Sequence, residues 1–193
     1  ASRIALWGTS FSGGHALAAA ARDGGIAAVI SQIPFVDGIA TMFSFPLSFI
    51  AKGMAHGLRD LARMIAFRRP HTVPIVGTPG EFALMNTPES YDGYLALSPG
   101  DTGWKNEAPA RIMLRIPFYR PARRARGLKC PVFILCAQRD SLIPSDAVRG
   151  AARAIPRAEL VELDCGHFDV YRGRLFVKTI RMEIDFFRRH LGA

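Results

Sequence analysis

The order of patterns in the first 33 residues most constrains the fold of this chain. A short apolar run, residues 3–7, is followed by a turn of small residues at 8–14 and by an Ala-rich run at 15–22. A second apolar run covers residues 26–33. Strand, turn, helix and strand in this order predict a βαβ unit, and therefore a parallel sheet of the α/β class.

The same alternation returns towards the end of the chain. Residues 131–137 form a continuous apolar run, residues 145–154 have a helical pattern, and residues 158–163 alternate as a strand does. Apolar residues then recur at helical spacing over 176–191. We therefore predict a parallel sheet of about four strands with helices packed against it.

Residues 37–127 have a different character, rich in Met, Phe, Arg and Pro, with helices predicted at 49–67 and 106–116. Because this segment interrupts the alternation between two strands, we predict a core formed by 1–36 and 128–193 with 37–127 as a helical cap or lid. Some apolar side chains of the cap could line an apolar pocket or simply pack its helices together: Met42, Phe43, Phe45, Phe49, Met54 and Met64.

The strongest local motif is Gly8-Thr9-Ser10-Phe11-Ser12, between the first predicted strand and helix. A serine on a sharp strand-to-helix turn presents its hydroxyl beside a helix N-terminus, whose positive end favours developing negative charge. Small residues two before and two after it let the strand and the helix approach each other. Ser10 is therefore the candidate nucleophile, and the backbone N–H of Phe11 is a candidate oxyanion donor.

A serine hydroxyl needs a base to become a good nucleophile. His167 lies in a Gly-His-Phe loop directly after the last predicted strand, and it is the candidate base. Asp140 follows the preceding predicted strand and is favoured as the acid that orients the imidazole, with Asp37, after the second strand, as the alternative. The other histidines lie in helical or cap regions: His15, His56, His71 and His190.

In their order and topological positions these motifs resemble the α/β-hydrolase superfamily of esterase- and lipase-like serine hydrolases, over nearly the whole chain. Ser12 departs from the commonest pattern, which has a second glycine there. The resemblance implies cleavage of a carboxylic ester or thioester through an acyl-enzyme, with Ser10, His167 and Asp140 as the triad. It implies a small-molecule substrate with an apolar part and neither a metal nor an organic cofactor.

Members of this superfamily usually have about four strands before the strand that carries the nucleophile, and that part normally supplies a second oxyanion donor. Here that strand is predicted to begin at residue 3. We therefore expect an exposed apolar strand edge that a second copy or a partner chain covers, or a chain that is a piece of a longer protein. The alternative function is a catalytically impaired fragment or pseudoenzyme that acts as a binding or assembly module.

Composition narrows the classes of function and location that remain open. The net charge of +9 and the Arg-rich segment 111–129 could attract nucleic acid, but no nucleic-acid-binding motif accompanies them, so a solvated basic surface is favoured. The 3 cysteines form no disulfide framework, which favours a reducing, cytoplasmic location. The sequence has no signal-peptide pattern and no uninterrupted run of roughly 20 apolar residues that would predict a membrane span.

Overall fold

The computed structural model describes residues 4–98, 100 and 103–192. The strands of this part are β1 (Ala5–Thr9), β2 (Ala28–Gln32), β3 (Thr72–Val73), β4 (Ala108–Pro109), β5 (Val132–Ala137) and β6 (Ala158–Leu163). The α-helices are α1 (Ser10–Ala20), α2 (Gly38–Met42), α3 (Leu47–Ile65), α4 (Ser90–Leu95), α5 (Ile112–Arg115), α6 (Pro121–Ala125), α7 (Ser145–Ala154) and α8 (Gly173–Leu191). Arg3, where the first strand was predicted to begin, lies outside the described residues.

The chain divides into two compact units. The first combines the residues up to Asp37 with those from Arg120 onward, and the second is Gly38–Tyr119. The second segment of the first unit therefore begins at Arg120, before the predicted boundary at residue 128. The reason is that α6 packs against α1, and the backbone N–H of Ala122 donates to the carbonyl of Val36 at 3.1 Å. The assignment of the second unit as a cap stays a prediction.

The first unit is built on a parallel sheet with the strand order β1-β2-β5-β6, which confirms the predicted α/β class. β2 and β5, the two inner strands, are buried at every position. Helix α1 packs on β1 and β2, α8 packs on β2, and α7 packs on β5 and β6. Continuous apolar strands such as β5 are typical of a parallel sheet that helices cover on both faces.

The core of the first unit holds the strands whose ends carry the candidate site. Phe133 of β5 and Phe186 of α8 are both almost fully buried, with ring centroids 5.5 Å apart. Leu135 of β5, Leu163 of β6 and Val170 belong to the same apolar cluster. Because cores are close-packed, the loops that leave β5 and β6 start from fixed positions.

β1 lies at one edge of this sheet. Ile4 and Trp7 are 53% and 50% exposed there, as the predicted apolar edge requires. The indole N–H of Trp7 donates to Glu183 of α8 at 2.9 Å, which ties the edge strand to the unit. The strand that was predicted to cover this edge, from a second copy or a partner chain, stays a prediction.

The second unit is organised around α3 and a two-stranded antiparallel pair. Gly57 lets α3 approach α5 closely, because a Cβ there would lie 2.6 Å from the side chain of Leu114. The helix predicted over 106–116 is wrong in its first half. Pro109 pairs with Thr72 in the β3–β4 ladder, and helical structure begins only at Ile112.

Candidate active site

Ser10 lies at the turn between β1 and α1, with a φ of +51° that non-glycine residues rarely adopt. Gly8 makes this turn possible, since a Cβ at that position would lie 2.2 Å from the carbonyl oxygen of Ser12. The carbonyl of Ser10 accepts the backbone N–H of Phe35 at 2.9 Å. The strained conformation is thus held by neighbouring backbone, as the predicted strand-to-helix turn requires.

His167 and Asp140 meet Ser10 because β5 and β6 are parallel and end at the same edge of the sheet. Asp140 comes after β5, and His167 comes after β6. Nε2 of His167 lies 3.0 Å from Oγ of Ser10, and Nδ1 lies 2.7 Å from Oδ2 of Asp140. The side chains of His167 and Asp140 are each only 3% exposed.

The remaining bonds of Asp140 hold its carboxylate in one orientation. Oδ1 accepts the backbone N–H groups of Leu142 and Ile143 at 2.8 and 2.9 Å. With Oδ2 accepting Nδ1–H of His167, the Nε2 of the ring is left without a proton and can accept the hydroxyl proton of Ser10. A hydroxyl, an imidazole and a carboxylate in this order form the arrangement that activates a serine nucleophile.

Asp37, the alternative acid, has a different partner. Its carboxylate binds the guanidinium of Arg120 through Nε at 2.9 Å and Nη2 at 2.6 Å. The other histidines have different neighbours as well. His15 meets the ring of Phe11 edge-on, His56 and His71 bind each other, and His190 packs against a core phenylalanine.

Comparison with known proteins finds relatives that are longer than this chain. No protein-family model matches the chain. The chain is 39% identical over 187 residues to the quorum-quenching protein AidA of Acinetobacter baumannii (strain MDR-ZJ06). The aligned region covers 97% of the chain and 62% of AidA. The chain is also 28% identical over 192 residues to an uncharacterized 31.7 kDa Escherichia coli protein of the traX-finO intergenic region, covering 98% of the chain and 65% of that protein. The chain thus spans less than two thirds of the length of these relatives.

Solved structures match the fold of the chain. The alpha/beta hydrolase GrgF of Penicillium sp. sh18 matches with a TM-score of 0.75 and 21% identity, covering 98% of the chain and 64% of GrgF. The structure of DcsB with its substrate analogue matches with a TM-score of 0.81 and 20% identity, covering 98% of the chain and 65% of DcsB. The chain has the α/β-hydrolase fold. The resemblance stated from the sequence is confirmed at this level.

Within the α/β-hydrolase fold, the departure at Ser12 has a structural reason. The Ser12 hydroxyl accepts the backbone N–H of Thr9 at 2.9 Å and donates to the carbonyl of Thr9 at 2.7 Å. A glycine at this position could make neither bond. Serine therefore fits as a small residue of the turn and also closes it. The sequence pattern marked position 12 for its size but not for these bonds.

Several polar residues near Ser10 were missed by sequence analysis. Thr9 Oγ1 lies 2.6 Å from the hydroxyl of Tyr171 and accepts Nε2 of Gln32 at 3.1 Å. Ser31 donates its hydroxyl to the carbonyl of Gly13 at 2.9 Å. The one available signal was the pair of polar residues 31–32 inside an otherwise apolar strand, since buried polar groups need partners.

Other kinds of chemistry have less support in the described residues. No three His, Cys, Asp or Glu side chains come together there as a metal site would require. Cys136 and Cys165 are buried, and burial raises the pKa of each thiol to about 11, which disfavours the nucleophilic thiolate. Over the same part of the chain, no helix has the length and apolar character needed to cross a membrane.

Proposed function

We propose that this protein is a serine hydrolase that cleaves a carboxylic ester or thioester through an acyl-enzyme. The observation that carries the proposal is the continuous hydrogen-bonded row from Ser10 Oγ to His167 Nε2 at 3.0 Å and from His167 Nδ1 to Asp140 Oδ2 at 2.7 Å. The α/β-hydrolase fold and the strained backbone of Ser10 support the same assignment.

In the first half-reaction, Ser10 Oγ attacks the carbonyl carbon of the substrate while its proton passes to Nε2 of His167. Asp140 stabilises the resulting imidazolium without taking its proton. The carbonyl oxygen becomes an oxyanion, for which the backbone N–H of Phe11, the residue directly after the nucleophile, is the proposed donor. Collapse expels the alcohol or thiol, which leaves with the proton from His167.

In the second half-reaction, water attacks the acyl-Ser10 carbonyl and gives its proton to Nε2 of His167. A second tetrahedral intermediate collapses, the carboxylic acid departs, and Ser10 recovers its proton. No step requires a metal or an organic cofactor. The first and the last proton transfer occur across the hydrogen bond between Ser10 and His167, so both depend on the spacing of those two side chains.

The natural substrate is proposed from two sources. The rings of Phe11 and Phe168 adjoin Ser10 and His167 in the sequence, and Phe11 is 37% exposed, which favours a substrate with an apolar part. The similar AidA carries the name of a quorum-quenching protein. We therefore propose a quorum-sensing signal with a hydrolysable acyl bond as the candidate substrate class.

Hydrolysis of p-nitrophenyl esters of increasing acyl length, by the wild type and by Ser10→Ala, tests the proposal. We expect turnover by the wild type and a loss of about 10³-fold or more in Ser10→Ala. A fluorophosphonate should label the wild type and not the variant. A folded wild type that neither turns over nor becomes labelled would instead favour the alternative, a catalytically impaired binding or assembly module.

A further inference from the structure

A cluster of polar side chains lies beside the Ser10 turn and takes no part in the proposed proton transfers. Its centre is the hydroxyl of Thr9, which lies 2.6 Å from the hydroxyl of Tyr171 and accepts Nε2 of Gln32 at 3.1 Å. Gln32 is only 3% exposed, at the end of an inner strand of the sheet. Because buried polar groups are costly unless they are hydrogen-bonded, this cluster is expected to fix the segments that it joins.

Tyr171 belongs to the loop that carries His167, here called the His167 loop (residues 166–171). Asp169 closes the loop by accepting the backbone N–H of Gly166 at 2.8 Å, and Val170 is fully buried in the core. The bond from Tyr171 to Thr9 is a second link from this loop to the Ser10 turn, besides the bond between His167 and Ser10 themselves.

We propose that Tyr171 is a positioning residue of the active site, whose hydroxyl holds the His167 loop in register with the Ser10 turn through Thr9. The inference rests on the proposed function, since it concerns the same nucleophile and base. Ser10 and His167 lie on segments 157 residues apart, and their side chains must stay about 3 Å apart for proton transfer. The Thr9–Tyr171 bond fixes that separation one residue from the nucleophile.

The protonation of Tyr171 supports this role. Burial raises the pKa of Tyr171 to about 12, against a smaller lowering by its bond to Thr9. The phenol therefore keeps its proton at neutral and moderately alkaline pH, so the bond with Thr9 persists throughout the range in which a serine hydrolase would be assayed. Tyr171 itself does not exchange a proton with the substrate in this scheme.

Tyr171→Phe tests the role, because it removes the hydroxyl and retains the ring that faces His167 and Phe168. We expect kcat for p-nitrophenyl acetate to fall about tenfold, as the loss of a well-placed hydrogen bond allows, with KM within about twofold of the wild type. The rate of fluorophosphonate labelling should fall in parallel. Tyr91→Phe removes a tyrosine hydroxyl in the second unit and should leave kcat unchanged.

Variants of Thr9 complete the design. Thr9→Val removes the bond to Tyr171 and also the bond from Gln32, so it should lower kcat at least as much as Tyr171→Phe. The double variant should be no slower than Thr9→Val, because that variant already lacks the bond to Tyr171. Thr9→Ser restores the hydroxyl and should recover most of kcat. All rates are expressed per folded molecule, with folding checked by circular dichroism, so that a purely structural loss does not count as a change in kcat.

The outcomes separate this inference from the proposed function. If the wild type is active, Ser10→Ala is inactive and Tyr171→Phe keeps kcat within twofold, the positioning role is wrong while the proposed function stands. The role is also wrong if Tyr171→Phe raises KM alone, or if the losses of the two single variants add in the double variant. If the folded wild type neither turns over nor is labelled, the proposed function and this inference both fail.

Discussion

Each of the two units holds a buried carboxylate beside a histidine, and the two pairs are built differently. In the first unit, Asp140 accepts Nδ1 of the His167 imidazole at 2.7 Å. In the second unit, Asp60 accepts the backbone N–H of His71 at 2.8 Å, while the ring of His71 bonds to the ring of His56 at 2.8 Å. One carboxylate therefore orients an imidazole, and the other fixes main chain.

The surroundings of Asp60 show what its carboxylate stabilises. Oδ2 accepts the backbone N–H of Arg111 at 3.0 Å and lies 3.5 Å from Nε of the same residue. Burial by itself would raise the pKa of Asp60, but the N–H groups of Arg111 and His71 and the charge of Arg111 outweigh it, so the pKa is lowered. Asp60 thus joins α3 to the segments that lead into β3 and α5.

The difference lies in which histidine atom the carboxylate binds and in what the other ring nitrogen faces. Nε2 of His167 faces a serine hydroxyl at 3.0 Å. The ring of His71 is stacked on His56 with an interplanar angle of 5° and shares its hydrogen bond with that imidazole. Proximity of an acid and a histidine is therefore no sign of catalysis unless the ring is oriented towards a reactive group.

Asp140→Asn, which alters the Asp140–His167 pair, is expected to have the largest effect on activity. An amide NH₂ facing Nδ1 favours the tautomer that carries its proton on Nε2, and that nitrogen then no longer accepts the Ser10 proton. We expect kcat/KM for p-nitrophenyl acetate to fall about 10³–10⁴-fold, with little change in the free energy of unfolding. Steady-state kinetics and urea titration measure the two quantities.

Asp60→Asn is the matched control for that experiment, because it makes the same chemical change at the other pair. Its kcat/KM per folded molecule should stay within about threefold of the wild type, since Asp60 binds main chain and not the ring of the proposed base. A similar loss in both variants, or a loss below tenfold in Asp140→Asn, would contradict the functional distinction between the pairs.

Asp60→Asn should instead lower the free energy of unfolding of the second unit, by about 1–3 kcal/mol, because a buried N–H loses its acceptor and Arg111 loses its ionic partner. Each unit holds one of the 2 tryptophans, so Trp104 fluorescence reports on this unit and Trp7 on the other. Urea titrations should show this loss in the unfolding transition that Trp104 fluorescence follows, here called the Trp104 transition. An unchanged Trp104 transition would contradict the role given to Asp60.

The stability that Asp60 contributes to the folded protein depends on pH, and the direction follows from its lowered pKa. The pKa of Asp60 in the folded protein lies below its ordinary value of 3.8, so its stabilisation is present above that value and is lost as pH falls through the folded pKa. The stability difference between the wild type and Asp60→Asn should therefore shrink as the pH is lowered from about 5 towards about 3. A difference that grows over this range would contradict the assigned direction.

The two pairs also differ in how far the sequence predicts them. Asp140 and His167 could be predicted together, because each follows a predicted strand and parallel strands end at one edge of a sheet. The contact between Asp60 and His71 could not, since a carboxylate that binds backbone N–H groups leaves no residue-type pattern. Asp37 remained open as an acid because it also follows a strand, and the structure separates the two by the bonds of Asp37 to Arg120 and of Asp140 to His167.

The Ser10 turn shows a second limit of sequence prediction. The helix was expected from residue 15, whereas α1 begins at Ser10 and includes Gly13 and Gly14 despite their low helix propensity. A Cβ at Gly14 would lie 2.2 Å from the carbonyl oxygen of Phe35, so close packing decides that residue and not propensity. The contact of Thr9 with Tyr171 spans 162 residues and had no sequence signal.

The smallest effect is expected from His71→Gln, which alters the second pair and should change the pH dependence of unfolding. Burial, followed by the positive charges of Arg59 and His56, lowers the pKa of His71 below its ordinary value of 6.5. The unfolded chain then binds a proton on this ring at a higher pH than the folded protein does, so stability is full above 6.5 and declines as pH falls towards the lower folded pKa. Glutamine keeps the backbone N–H that Asp60 binds, and it removes the ring titration together with the contacts of the ring with His56. We therefore expect the Trp104 transition of His71→Gln to depend less on pH between about 7 and 5 than that of the wild type, while His190→Gln, in the first unit, keeps the wild-type dependence. If His71→Gln retained the full dependence, the ring of His71 would not be the titrating group, and the second pair would act through its main-chain contacts alone.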